Sequence, residues 1–338
     1  MRTDPPVAQL LEIAASAVPL LERARGLVET LDGWLAADAI WLTLSDPGSK
    51  VYATVGSTGL EQPVLDYLGR QAVARETQLA GLHRNRPPVS VTELPVPMEE
   101  LPTWADCLIP TGFREGLGVP ILEPRGPYLG MLSLLFASGE PPSGALRDRL
   151  GQLAPLIARG ISPMRSMLAT ARLVQGATSG VVLLRDGTSY TLPGLDDHPL
   201  LAADSLAVEI ARRTLVAGQE YRSFLWPADG DSGTTGHARL TVLTATDVPA
   251  FVLGTVLVTP EADCRGLTPR ELEVLGLLVE GRSNQQIARR LTIALRTVAA
   301  HVEHILHKMD VPTRTLAAVR AEREGCHVPP PPRPRSRR

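Results

Sequence analysis

Arg296, Thr297, Ala299, Ala300, Glu303, His304 and His307 recur on one side of a segment whose other side is Val298, Val302, Ile305 and Met309. The apolar set repeats at helical spacing, so one stripe is buried and the opposite stripe meets water. The chemistry that this polar stripe can do is recognition of a polyanion with readable edges. Arg296, Thr297 and Lys308, with Asn284 before them and Arg314 after them, suit phosphate oxygens. Ala299 and Ala300 suit a thymine methyl group, and Glu303 can accept from cytosine N4. His301, His304 and His307 stand three apart on the same segment. That spacing permits metal binding, because i and i+3 share a helix face, but such a site would compete with the polyanion. The plainer expectation is no metal, with His304 and His307 facing solvent or phosphate. The chain has no Gly-rich loop ending in Gly-Lys-Ser/Thr and no acid cluster beside a phosphorylatable aspartate and lysine, so no catalytic residues are expected and the protein is read as a non-enzyme.

The elements that must hold this stripe are legible around it. Thr268 then Pro269 starts a helix, and Glu271 completes a capping box. Leu272, Leu275, Leu278 and Val279 bury one face of it, and Gly281 ends it. Ser283 caps a second helix, Asn284 to Leu291, burying Ile287, Ala288 and Leu291. Thr292 to Ala294 turn into the third helix, Leu295 to Lys308. Asp310 to Pro312 break that helix, and Thr313 caps a fourth, to about Glu324. Two helices on a tight turn, the second exposing short side chains near its start, is helix-turn-helix geometry.

The run Leu267-Thr268-Pro269-Arg270-Glu271, Gly281, Ser283-Asn284, Ile287-Ala288, Thr297-Val298, His301-Val302, Ile305, Lys308 and Arg314 resembles the LuxR-type (GerE-like) DNA-binding domain. The resemblance implies double-stranded DNA as partner, met through Ser283, Asn284, Arg296, Thr297, Ala299, Ala300, Glu303, His304, Lys308 and Arg314. It also implies a homodimer joined through the fourth helix at Leu316, Ala317, Val319 and Arg320. Three positions depart from the family pattern. Ala294 stands where many relatives carry a capping serine, Ala299 where many carry lysine, and Glu303 where a small polar residue is common. These departures keep open a second reading, a signalling or interaction module that no longer reads DNA sequence.

The 338 residues suffice for two or three domains, and the net charge of −2 hides an asymmetry. From Leu267 onward 13 Lys and Arg face 7 Asp and Glu; before it the numbers are 21 and 29. A basic module behind an acidic body suits a DNA binder whose sensor should not bind DNA. Three scattered cysteines, Cys107, Cys264 and Cys326, the lack of a signal peptide and the lack of a membrane-spanning run lead to the expectation of a reducing, cytoplasmic setting without membrane contact.

Upstream, helical periodicity runs from about Val7 to Thr30, followed by strands Ala39–Leu44 and Val51–Val55, a helix from about Glu61 to Arg75, a hairpin of Gly116–Leu122 and Tyr128–Leu135 turning at Pro124-Arg125-Gly126, and a helix Ala145–Ile161. This order, and the hairpin above all, resembles a GAF domain. The resemblance implies a pocket for a small molecule or a partner, with Trp41, Trp104, Cys107, Leu108 and Phe113 as candidate lining. Cys107 would carry any covalent or redox chemistry, although a lone apolar cysteine is more often packing; no cofactor is expected. A second unit, with a hairpin turning at Asp186-Gly187, resembles a reduced PAS domain.

The expected whole is an α+β multidomain chain: a GAF-like domain at 8–162, a PAS-like α+β domain at 163–262, an all-α four-helix helix-turn-helix domain at 263–325, and a disordered Pro/Arg-rich tail at 326–338. The function that this organisation implies is a cytoplasmic bacterial transcriptional regulator under the control of an unknown effector.

Overall fold

A computed structural model describes residues 5–84, 87–123, 128–228, 236–246, 248–260 and 262–331. The expected turn at 124–126, most of the polar loop at 229–236 and the arginines of the tail at 333–338 lie outside the described residues. The chain divides into two compact units, 1–166 with 246–251, and 167–245 with 252–338.

The first unit is a five-stranded antiparallel sheet between two apolar clusters. The stretch 7–30 is two helices, α1 (Pro5–Ala15) and α2 (Leu20–Asp32), because Pro19 in extended geometry interrupts it. Strands β1 (Ala39–Ser45) and β2 (Tyr52–Thr58) follow. The stretch 61–75 is also two helices, α3 (Gln62–Leu68) and α4 (Gln71–Leu79), with Gly69 closing α3. Then come β3 (Val89–Ser90), a π-helical turn Trp104–Leu108, β4 (Glu115–Leu122), β5 (Tyr128–Phe136) and α5 (Gly144–Ile161). The sheet order is β2-β1-β5-β4-β3. Alternate residues of a strand face opposite ways, and β1 uses both faces. Ile40, Leu42 and Leu44 pack with Leu27, Leu31 and Ile157 of the flanking helices, while Ala39 and Trp41 join Leu68, Trp104 and Leu135 on the other side.

The second unit begins within α6 (Pro163–Ala171), which the sequence reading had not separated. Strands β6 (Ser179–Leu184) and β7 (Ser189–Thr191) turn at Gly187, whose φ of 103° only glycine tolerates readily. Helix α7 (Leu206–Val216) and strands β8 (Tyr221–Ala228), β9 (Gly236–Thr244) and β10 (Val252–Thr259) complete a sheet of order β7-β6-β10-β9-β8. Counted by strand, this is the winding of the first sheet. Strand order therefore does not separate a PAS-like from a GAF-like domain here. Four helices end the chain: α8 (Pro269–Val279), α9 (Asn284–Leu291), α10 (Leu295–Lys308) and α11 (Arg314–Glu324).

The expected disordered tail needs correction as far as it is described. Cys326, His327, Val328 and Pro329 are buried, His327 completely. After Gly325 turns the chain with φ 62°, Leu225 N of the edge strand β8 donates to His327 O at 2.8 Å, and Val328 N donates to Leu272 O of α8 at 3.3 Å. Arg290 donates to Pro331 O at 2.9 Å. The Pro-rich composition concealed one short apolar strap, Cys326 to Pro329, that completes the helical core together with Leu225.

Candidate nucleic-acid interface

The helix-turn-helix is built by local chemistry at each corner. At the start of α8, Thr268 Oγ1 accepts from Glu271 N at 3.3 Å, and Glu271 returns a carboxylate oxygen to Thr268 N at 2.8 Å. At the start of α9, Ser283 and Gln286 repeat the same reciprocal box, at 3.3 and 2.8 Å. Thr292 closes α9 in left-handed geometry, φ 55°. Ala294 opens α10 without a side-chain cap, as its residue type requires. Thr313 Oγ1 accepts from Leu316 N at 3.2 Å and caps α11.

Within this frame α10 buries Val298 and Ile305 and exposes Arg296, Thr297, Ala299, Ala300, Glu303, His304 and His307. His301 is half-buried. Among the described residues no group of three His, Cys, Asp or Glu side chains could hold a metal ion. Leu295, 50% exposed at the first turn, adds an apolar edge to the polar face.

Not every expected contact residue is free for a ligand. Lys308 Nζ lies 2.7 Å from Glu271 Oε2, and Glu271 is 3% exposed. Burial pushes the Glu271 carboxyl upward, but hydrogen bonds from Lys308 and Thr268 outweigh it and hold the group below its ordinary range. His304 Nδ1 stands 3.7 Å from the same carboxylate. Lys308 thus ties the end of α10 to the start of α8. Arg314 donates to Asn284 Oδ1 at 3.0 Å and to the Arg282 carbonyl, joining the starts of α11 and α9. Asn284 and Ser283 sit at the α9 N-terminus, each already holding an intramolecular hydrogen bond. The sequence reading missed Arg289, exposed in the last turn of α9 beside Arg290. The adjacent pair of arginines was the available signal.

On α11, Leu316 and Val319 are 45% and 50% exposed and share a face at i and i+3. Arg320 donates to Met309 O at 2.7 Å and to Glu324 at 3.0 Å. Ala317 corrects the expected dimer set. It is completely buried in the helical core with Ala321 one turn on, because a helix rotates about 100° per residue and Leu316's neighbour turns inward.

In the first unit Trp41, Trp104 and Leu108 line a cavity of about 90 Å³ between the sheet and α4. Cys107 and Phe113 are buried in the same apolar cluster without lining it. Burial pushes the Cys107 thiol up, against a smaller opposing effect of Arg70, so it stays protonated and is a poor nucleophile. Val73, Glu76, Thr103, Met131 and Ser133 also line the cavity; they were unreadable in sequence because they come from three separate segments. No helix among the described residues is long and apolar enough to cross a membrane.

Residues 265–321 match the family described as "Bacterial regulatory proteins, luxR family". The transcriptional regulatory protein LiaR of Bacillus subtilis is 51% identical over 57 residues, 17% of this chain and 27% of LiaR. The nitrate/nitrite response regulator protein NarL of Escherichia coli K12 is 47% identical over 66 residues, 20% of this chain and 31% of NarL. The chain thus spans less than a third of the length of either relative. Similar solved structures include the GAF domain of a phosphoenolpyruvate-protein phosphotransferase from Coxiella burnetii, at 19% identity over 49% of this chain and 95% of that one, TM-score 0.38. A phycoerythrobilin-bound GAF domain of a cyanobacterial phytochrome matches at 14% identity over 50% and 100%, TM-score 0.39. Likenesses at these scores carry no functional inference. The C-terminal helices are therefore a LuxR-family helix-turn-helix domain, in a chain whose N-terminal region is an α+β fold on a five-stranded antiparallel sheet.

Proposed function

We propose that the chain is a transcriptional regulator that docks α10 in the major groove of double-stranded DNA, as a homodimer, under the control of a small molecule or partner at the N-terminal region. The observation that carries this reading is the exposed face of α10, where Arg296, Thr297, Ala299, Ala300 and Glu303 are exposed while Val298 and Ile305 anchor the helix. Small side chains at Ala299 and Ala300 let the helix backbone approach base edges. Arg289 and Arg296 supply phosphate contacts from two helices. Leu316 and Val319 offer an apolar strip for a second copy, which would set two α10 helices roughly 34 Å apart on neighbouring turns of one DNA face. LiaR, a transcriptional regulatory protein, and NarL, a nitrate/nitrite response regulator protein, carry a similar C-terminal domain.

The alternative, an interaction module without sequence reading, draws on Glu303, on the uncapped Ala294 and on Lys308 and Arg314 being held within the bundle. Selection of binding sites from random DNA with the full chain, followed by salt titration, separates the two. A recovered near-palindromic sequence bound well above random DNA supports the regulator. Affinity equal on all sequences and lost with salt supports the module.

A further inference from the structure

The strap leads the chain to the corner between α9 and α10. Val328 and Pro329 cross α8 where Gly276 offers no side chain, and Arg290 then donates to Pro331 O at 2.9 Å. Arg290 stands in the last turn of α9, five positions before Leu295, the first residue of α10. Residues 332–338 follow, beyond the described ones: Pro332, Arg333, Pro334, Arg335, Ser336, Arg337 and Arg338. They carry four positive charges and no acid.

The charges at that corner decide what such a segment can pair with. From Gly281 to Val302 the chain has no Asp or Glu, and Arg289, Arg290 and Arg296 are exposed there. The acids of α8 and its C-cap are already engaged: Glu271 by Lys308 at 2.7 Å, Glu273 by Arg270 at 2.5 Å and Glu280 by Arg282 at 3.0 Å. A basic segment started among exposed arginines is repelled by them unless a polyanion lies across the whole set. The segment is long enough to share one with α10. Five residues, from Arg290 to Leu295, span at most about 18 Å, and the seven residues from Pro332 to Arg338 can extend over about 23 Å. Proline at 332 and 334 restricts the chain before it binds, which lowers the ordering cost.

Resting on the reading that α10 docks on double-stranded DNA, we infer that residues 332–338 are a second DNA contact, whose arginines neutralise backbone phosphates beside the groove that α10 enters. The ligand is the phosphodiester backbone, bound without regard to base sequence. The strap and Arg290 set where along the duplex it is met.

The test uses the full chain and two fluorescein-labelled duplexes, one of the sequence recovered by selection (the random pool where none is recovered) and one shuffled. Anisotropy is followed across a salt series. In the first variant Arg333, Arg335, Arg337 and Arg338 are all replaced by serine, and the strap is left unaltered. The slope of log affinity against log salt should fall by about 2–4, at roughly 0.9 per phosphate, and equally on both duplexes. In the second variant about twelve Gly/Ser residues are inserted between Pro331 and Pro332. The slope should persist while affinity drops roughly three- to fivefold, because the effective concentration of the arginines falls roughly as the −3/2 power of tether length. An unchanged slope in the first variant overturns the inference, and selective binding by α10 still stands. A loss confined to the selected sequence overturns the assignment to phosphate. Parent affinity in the second variant overturns the role of the anchor. A slope that falls in the first variant, while the parent binds both duplexes equally, upholds the phosphate contact and refutes sequence reading by α10. A parent chain that binds neither duplex overturns both.

Discussion

Gly276 is the point where the strap can be tested most sharply. A Cβ at this position in α8 would sit 1.8 Å from Val328 O and 2.8 Å from its carbonyl carbon. Carbon and oxygen do not approach that closely, so in Gly276→Ala the strap must retreat by more than an ångström. Two hydrogen bonds then fail, Val328 N to Leu272 O and Leu225 N to His327 O, at about 0.5–1.5 kcal/mol each. The burial of Val328 is lost as well, at about 1.5–3 kcal/mol. Against this, alanine inside a helix gains about 1 kcal/mol over glycine. The balance is a local destabilisation of roughly 2–4 kcal/mol. The assay is hydrogen–deuterium exchange on peptides covering α8 and 325–331, because several domains make a single unfolding curve ambiguous. The decisive control is the same substitution in a chain ending at Glu324. There the clash is gone, and the helix gain of up to about 1 kcal/mol should remain, reversing the sign. A Gly276→Ala full chain as protected as the parent would refute the seating of the strap against α8.

Other outcomes follow from the same geometry. Arg296→Ala should weaken DNA binding on all sequences and lower the slope of log affinity against log salt by about 1, read by fluorescence anisotropy; an unchanged slope would remove Arg296 from the phosphate contacts. Arg314→Ala should lower stability by about 1–3 kcal/mol, because it leaves Asn284 Oδ1 and the Arg282 carbonyl without their donor, so exchange in α9 should rise even without DNA. His327 is buried, and burial followed by the nearby Arg222 pushes its pKa down to about 4. A histidine lowered in the folded state stabilises fully above its unfolded value near 6.5 and loses that contribution as pH falls toward 4, up to about 3 kcal/mol. Replacing His327 with Leu should flatten the acid loss of protection of 325–331 in that window, and a parent chain with equal protection at pH 7 and pH 4.5 would contradict it. Glu271, lowered by Lys308 and Thr268 against the opposing push of burial, contributes above the ordinary carboxylate range and loses its share below it. Glu271→Gln should therefore remove only the most acidic part of the same profile.

The sequence by itself determined what is written in local chemistry. Thr268 with Glu271, Ser283, Gly281 and Thr313 marked the helix ends, and the Val298–Ile305 stripe told which side of α10 faces inward. Caps and periodicity act within one or two turns, so a linear reading captures them. Strands β4 and β5 were legible for the same reason. Breaks within an apolar run were not: Pro19 and the Gly69 junction split single expected helices into pairs, since amphipathic periodicity continues across a short interruption.

Tertiary structure alone decided which side chains remain free. Lys308 and Arg314 look like phosphate ligands in the sequence, yet a buried carboxylate 37 positions away and an amide 30 positions away hold them. Ala317 looks like part of the dimer strip until the bundle encloses it. Cys326 to Pro329 read as solvent-exposed tail because they carry no pattern of their own. Their burial depends on the edge of β8 and on the absence of a side chain at Gly276, surfaces that exist only once the distant segments have folded. Sequence periodicity records where a residue points on its own element, whereas pairing and burial are set by contacts across long chain separations.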